Sequence, residues 1–501
     1  MLGKIDKKYR NFFSFIRFDE VEKEINNLIK DDSLSDDEFF KKIIDIRTAQ
    51  KNILGNQYKN IITLINQSGT KPQRFLMELL QNIDDANYLK EPYVKISFQN
   101  NRLILNYNET GFTKENVAAI TAIGDSTKQY LANENITGEK GIGFKSIFNV
   151  ANTVEIHSNN YHFILSDEEP TIPKRIKTKE VTDGTKMVIE VKNGYIDNSF
   201  DDNFLTYACL CLKQIKHLNI NGKDLVIQES LNKRIIKYED EHIYYKFVYQ
   251  YKVDSLSARK ERYDSDALAE ENQKITYLIP LEEQDCYIYS TFPTLELMSV
   301  PVIVDANFKL NTSRESILEY NKWNTFTIEK IHDGFLWMLE QIKDIDYEKM
   351  MDIIPYDGFL TKRLSNYHKL DEKIHNLPIF KVFNTTNQFI SLDNGFIGTE
   401  LDKYIINKWG YFGNKKNTKV REDCIEFDIK KITDDDFYEE RSFVDFCKDL
   451  YDSKSYNIIH PKYLQDDTFR GLLYSYLLSY DNKYIHQSDF DEIGLINWEI
   501  I

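Results

Sequence analysis

Glu78, Asn82 and Asp85 stand at spacings of four and three within RFLMELLQNIDDANY, residues 74–88. A helix advances ~100° per residue, so these three polar side chains fall within an arc of roughly 60°. Leu76, Leu79, Leu80 and Ile83 gather on the opposite side. Such a helix can lay its leucines on a sheet while offering a carboxylate, a carboxamide and a second carboxylate to a cavity. A carboxylate accepts a proton from water, and a neutral amide oxygen ligates Mg²⁺, a hard cation that prefers oxygen. An amphipathic helix with a solvated polar face carries the same pattern, so this segment alone leaves both readings open.

A second segment, GEKGIGFKS at 138–146, places Gly138, Gly141 and Gly143 at the mouth of a predicted helix. Glycines permit positive φ and close backbone approach, so consecutive N–H groups can point at phosphate oxygens. A tight turn needs the same residues. Two simpler motifs fail: Phe144 stands between Gly143 and Lys145 where a Walker A loop has Gly-Lys. Lys145 and Ser146 fall where an RNA-recognition octamer has apolar strand residues.

The elements that must position these residues are legible in the patterning. Residues 1–60 form an N-terminal helical segment, with apolar positions three and four apart on both sides of DDSLSDDE, a predicted loop and helix N-cap. A helix follows from Lys71. VKISF and LILNY around QNNR read as a hairpin, and a helix is predicted from Lys114 to about Ile123. Strands TVEIHS, YHFIL and TKMVIEV follow, the last behind the Asp183-Gly184 turn. Helix, hairpin and helix with antiparallel strands fit an α+β sandwich better than a doubly wound parallel sheet. The expected domains are 61–195, a middle region 196–335 with strands such as HIYYKFVYQY, ITYLIPL and CYIYSTF, and 336–501.

The order and spacing of these segments together resemble the GHKL (Bergerat-fold) ATPases, most closely the sacsin-like or NOV-like branch. Glu78, Asn82, Asp85 and Ala86 match the class's first motif, ExxxNxxDA; NETGF at 108–112 resembles the second, and GIGFKS the third. IGDSTK at 123–128 resembles the start of an ATP lid, and Asp183-Gly184-Thr185 the final motif. VDANFKLNTSRESI at 304–317 resembles the LNxSRE loop of the second domain in GHKL chaperones.

The resemblance implies an α+β chain: a Bergerat-fold ATP-binding sandwich, a second α/β domain and a mainly helical C-terminal region. It implies ATP and Mg²⁺ as cofactors, Glu78 polarising the attacking water, Asn82 holding Mg²⁺ and Asp85 near ribose or metal water. Gly138, Gly141, Gly143 and Lys145 fall in the phosphate cradle, with Ser126, Thr127 and Lys128 in the lid. Thr185 would sit near adenine. Arg314 would reach the γ-phosphate with Asn311 supporting its loop; a helix N-terminus capped by Thr312 or Ser313, with Arg314 merely solvated, is the plainer reading, and such a cap is compatible with positioning the arginine. The class usually presents an Asp to the adenine amino group in DxGxG. Here Asn108 and Gly111 match that stretch, with Glu109 between them, and which residue reads adenine stays open.

The implied activity is ATP hydrolysis driving a lid or dimer switch, in a chaperone-like or bacterial defence-like setting with an unidentified protein partner or client and a possible homodimer. A non-hydrolysing, nucleotide-gated scaffold is the alternative. An ATPase coupled to a nuclease is another, resting on Glu426, Asp428 and Lys430. A sensor histidine kinase is disfavoured, because the first histidine is His157 and Glu78 would promote transfer to water.

Composition bounds these readings. The 501 residues hold 80 Asp and Glu against 64 Lys and Arg, a net charge of −16, which argues against a general electrostatic hold on nucleic acid or anionic membrane. Five scattered cysteines without a CxxC pair predict free thiols in a reducing compartment. No apolar run approaches a membrane span, and a cytoplasmic location is expected.

Overall fold

The computed structural model describes residues 18–55, 58, 72–122, 144–177, 183–192, 207–263, 268–311 and 315–355, and in the remainder 360–361, 370, 373–374, 376–381, 388–391, 396–397, 400–409, 420–421, 451–452, 455–459 and 465–479. The chain divides into two compact units, Met1–Ile331 and His332–Ile501. Both mix helix and strand.

The first unit opens with α1 (Phe18–Ile29) and α2 (Asp36–Leu54). Ser35 caps α2 as the DDSLSDDE stretch predicts: its Oγ accepts from Glu38 N–H while the Glu38 carboxylate accepts from Ser35 N–H at 3.0 Å. Helix α3 (Pro72–Asp84) follows, and Leu76, Leu79, Leu80 and Ile83 are all buried. Burial of such side chains contributes about 1.5–3 kcal/mol each, which fixes the opposite face of α3 as the polar one.

Strands β1 (Tyr93–Gln99) and β2 (Arg102–Tyr107) pair antiparallel about Asn100 and Asn101, whose φ values of 46° and 60° suit the left-handed tight turn of a hairpin. Helix α4 (Lys114–Thr121), a 3₁₀ turn (Phe144–Asn149), β3 (Ala151–Ser158), β4 (Tyr161–Ser166), β5 (Lys174–Arg175) and β6 (Thr185–Val191) come next. They are followed by β7 (His217–Ile220), β8 (Lys223–Glu229), β9 (Lys233–Tyr238), β10 (Asp240–Lys252), the short α5 (Leu256–Glu261), β11 (Asn272–Pro280), β12 (Tyr287–Ser290), β13 (Phe292–Leu297) and β14 (Ile303–Asp305).

All fourteen strands form one sheet, in the order β13-β12-β14-β11-β10-β9-β8-β7-β1-β2-β6-β3-β4-β5. Parallel pairing of β7 with β1, Val94 opposite Leu218, carries the sheet through the expected boundary at 195/196. Helix α6 (Lys322–Ile342) leads from the first unit into the second.

In the second unit the described residues form helices Tyr347–Asp352, Glu400–Trp409 and Asp467–Ser479 and three two-stranded ladders. Strand pairs such as Phe380–Lys381 with Phe389–Ile390 therefore accompany the helices expected there. Among the described residues, no helix is long and apolar enough to cross a membrane.

Candidate functional site

Helix α3 keeps Glu78, Asn82 and Asp85 on its polar side. Asp85 N–H still bonds Gln81 O at 2.9 Å, so it continues the helical path into the closing turn. Glu78 is 8% exposed, Asn82 is exposed and Asp85 lies between those limits. The gradient buries one carboxylate and leaves the Asn82 amide at the surface. Beside them Asp84, on the other side of α3, accepts backbone N–H bonds from Lys213 (2.8 Å), Gln214 (2.8 Å) and Ile215 (2.9 Å). The Gln214 amide donates back to Asp84 O and Ala86 O. The end of α3 is thus clamped to the segment entering β7.

The sheet supplies a second polar cluster. Thr185 begins β6 on the same face as buried Met187, Ile189 and Val191. It lies opposite Tyr107 of β2 and Ser158 of β3. Its hydroxyl donates to Glu109 Oε1 at 2.5 Å, while Glu109 Oε2 accepts Gly111 N–H at 2.8 Å. Ser158 Oγ lies 2.5 Å from Thr185 Oγ1 and accepts Phe112 N–H at 2.7 Å. With Thr185 donating to the carboxylate, Ser158 must donate to Thr185, and the chain of donors runs Phe112, Ser158, Thr185, Glu109. Burial pushes the Glu109 carboxyl above its ordinary value, with the Thr185 and Gly111 donors pulling it back. Thr110 N–H donates to Asn87 O at 2.8 Å, joining this cluster to the segment just beyond Asp85.

Two glycines are required for this geometry. Gly111 has φ +85°, and a Cβ there would fall 2.3 Å from the Asn159 amide. Gly184 has φ +95°, and its Cβ would lie 2.2 Å from Tyr107 O, which as backbone cannot yield.

Several sequence expectations are relocated. Asn108 braces the hairpin: its Oδ1 accepts Tyr93 N–H at 2.7 Å and its Nδ2 donates to Glu91 O at 2.9 Å. The carboxylate next to it, Glu109, is what meets Thr185. The available signal was an acidic residue two before a glycine, hidden because Asp is the expected type. Ser158 carried no signal at all.

Lys145 is 1% exposed; its ammonium donates to Ile120 O and to Pro170 O at 2.7 Å. Arg47 likewise donates to Ala118 O at 3.0 Å. The two cations satisfy carbonyls in the last turn of α4, where a helix leaves acceptors unpaired and its dipole favours positive charge.

The loop after β14 is closed by Asn311, whose Oδ1 accepts N–H bonds from Glu315 (3.2 Å) and Ser316 (3.4 Å), while Leu310 bridges Ile317. Thr312 and Ser313, the alternative helix cap, lie outside the described residues, and the next described helix begins at Lys322. Ser126, Thr127, Lys128, Gly138, Gly141, Gly143 and Arg314 lie outside the described residues, as do Glu426, Asp428 and Lys430.

Residues 88–257 match the Sacsin domain family model. This Sacsin-domain region is about a third of the chain; it contains Glu109, Gly111, Ser158 and Thr185, begins beyond Glu78, Asn82 and Asp85, and ends before Asn311. The chain is also 41% identical over 96 residues to Protein NO VEIN of Arabidopsis thaliana. That similarity covers 19% of this chain and only 3% of the much longer plant protein. Each of the two similarities covers a limited part of the chain.

Proposed function

We propose that the first unit binds ATP with Mg²⁺ and hydrolyses it, and that the nucleotide drives a conformational switch read by a protein partner or a second copy of the chain. The observation that carries this reading is the pairing of two polar clusters through Asn87 and Thr110: Glu78, Asn82 and Asp85 on α3, and Glu109 with Thr185 on the sheet. The Sacsin-domain match over 88–257 supports it from the sequence side.

In this reading each residue has one task. The buried Glu78 carboxylate orients and deprotonates the attacking water. Glu109, ionised and aligned by Thr185, accepts the exocyclic amino group of adenine. The Asn82 amide oxygen takes one position on the cation. Among the described residues no group of three or more His, Cys, Asp or Glu is placed to hold a metal alone. Asn82 would offer Mg²⁺ the neutral oxygen donor that this hard cation accepts. When bound, Mg²⁺ neutralises phosphate charge. Arg314, on the loop held by Asn311, would contribute a second positive charge to the phosphate.

The test is steady-state ATP hydrolysis and nucleotide binding by wild type, Glu78→Ala and Asn82→Ala. Hydrolysis by the wild type, binding without turnover in Glu78→Ala, and loss of Mg²⁺-dependent binding in Asn82→Ala are expected. Binding without turnover in the wild type would instead favour a nucleotide-gated scaffold. Absence of binding would reject the reading.

A further inference from the structure

The register of the sheet beyond β7 gathers a second set of polar residues on β10, β11 and β14. Gln250 pairs with Lys274, Lys252 with Asn272, and Thr276 with Asp305, so all six side chains stand on one face of β10, β11 and β14. The opposite face carries Tyr251 and Tyr277 and is covered by α6, where the Tyr251 ring lies 6.3 Å from Phe326 and the Tyr277 hydroxyl donates to Ile331 O at 2.7 Å. An antiparallel sheet with one solvated face alternates in this way, but here the polar face borders a cavity of about 580 Å³. That volume is in the range of small-molecule sites, roughly 300–1,000 Å³.

The cavity is lined by the cations Lys213, Lys252 and Lys274 and by the carboxylates Asp305 and Glu270. Lys252 is taken by Glu271 at 3.6 Å, whereas among the described residues neither Lys213 nor Lys274 has an ion-pair partner. Both line the cavity and both act on Asp305, whose Oδ1 accepts Thr291 N–H at 2.8 Å. Burial pushes the Asp305 carboxyl up, and Thr291, Lys213, Arg234 and Lys274 draw it back. A bare inorganic anion between the two lysines would face this carboxylate. A ligand that offers an anion to the lysines and hydroxyl donors to Asp305 satisfies both, with Gln250, Asn272 and Thr276 able to donate or accept alongside.

We propose that this cavity binds a phosphorylated sugar, with its phosphate held by Lys213 and Lys274 and its hydroxyls donated to Asp305. The site is separate from the nucleotide reading and does not depend on it. Lys213 nonetheless connects the two regions, since its backbone N–H is one of the three that hold Asp84 at the end of α3.

Titration calorimetry on the full chain tests this with ribose 5-phosphate and, in parallel, inorganic phosphate. The wild type should bind ribose 5-phosphate and prefer it to inorganic phosphate. Lys213→Ala/Lys274→Ala, which changes side chains that are not buried, should weaken ribose 5-phosphate binding at least about tenfold, the effect of a single good ionic contact, with an unchanged melting temperature. Asp305→Asn should remove the preference over inorganic phosphate, and Asn82→Ala should bind the sugar phosphate like the wild type. The proposal is overturned by an absence of binding at millimolar probe, by binding that survives the double lysine variant, by equal affinity for the two probes in the wild type, or by loss of binding in Asn82→Ala, which would place the probe on α3.

Discussion

The hydroxyl of Thr185 and the carboxylate of Glu109 meet at 2.5 Å across the ends of β6 and β2. Both residues are buried, and each continues an apolar row of its strand. Polar groups at the end of such a row are held by geometry that the rows themselves impose. The Thr185 hydroxyl both donates to Glu109 and accepts from Ser158. Replacing it with valine keeps the shape and removes both bonds. Thr185→Val is expected to lose roughly 1–3 kcal/mol, the cost of leaving buried partners unsatisfied, while Thr185→Ser retains most of the stability. Urea unfolding of the three proteins checks this, and equal midpoints would reject the relay.

Acidity offers an independent readout of the same carboxylate. Burial raises the Glu109 pKa in the folded chain above its ordinary value. Between the unfolded and folded values the folded chain binds more protons. The stability contributed by this group is therefore complete below the unfolded value and is lost as pH rises through the folded one. Glu109→Gln should flatten that part of the stability profile, which lies above the ordinary carboxylate value. If Glu109 also receives an adenine amino group, wild-type ATP affinity should fall as pH drops through the same folded value. A stability profile unchanged by the substitution would show that Glu109 is not the group responsible.

How far the residues announced this arrangement depends on the kind of signal each carried. The polar and apolar sides of α3 follow from helical period alone, and Leu76, Leu79, Leu80 and Ile83 are buried accordingly. The hairpin at Asn100 and Asn101 was legible because those residue types tolerate positive φ. Glu109 was obscured because a resemblance fixes a role to a residue type, and the carboxylate that meets Thr185 is a longer one, one position along from Asn108. A lysine beside glycines suggests phosphate, whereas the acceptors Lys145 reaches in the folded chain are Ile120 O and Pro170 O, brought close only by tertiary packing. Continuation of the sheet from β1 to β7 rests on a parallel pairing of residues more than a hundred positions apart, for which local patterning holds no information.

The position of Lys145 makes a negative expectation useful. Burial and the nearby Arg47 charge hold its ammonium well below the usual lysine range. Lys145→Met fills similar volume and removes the buried charge while leaving two carbonyls without this donor. The change in stability should be modest, because the lost hydrogen bonds and the relieved desolvation oppose one another. Nucleotide affinity should be unchanged if Lys145 only secures the end of α4. A large selective loss of ATP binding in a variant that folds normally would restore it to the phosphate site.

Asp84 supplies the most demanding check on how α3 is held. Its Oδ1 accepts the N–H groups of Gln214 and Ile215, and its Oδ2 accepts that of Lys213. Asp84 is 2% exposed, and removing its side chain leaves three backbone donors without their acceptor, that of Ile215 buried. Asp84→Ala should cost on the order of 3–5 kcal/mol, since each unsatisfied buried donor carries about 1–3 kcal/mol and local relaxation recovers part of the total. Asp84→Asn can turn its remaining oxygen towards Gln214 and Ile215, but its NH₂ then faces Lys213 N–H. It should lie between alanine and wild type. Chemical denaturation orders the three proteins, and hydrogen exchange at the amides of 213–215 reads the clamp directly. Those amides should exchange faster in Asp84→Ala by more than the global loss of stability accounts for. Protection that falls only in step with global stability would mean that the segment entering β7 is held by the sheet alone.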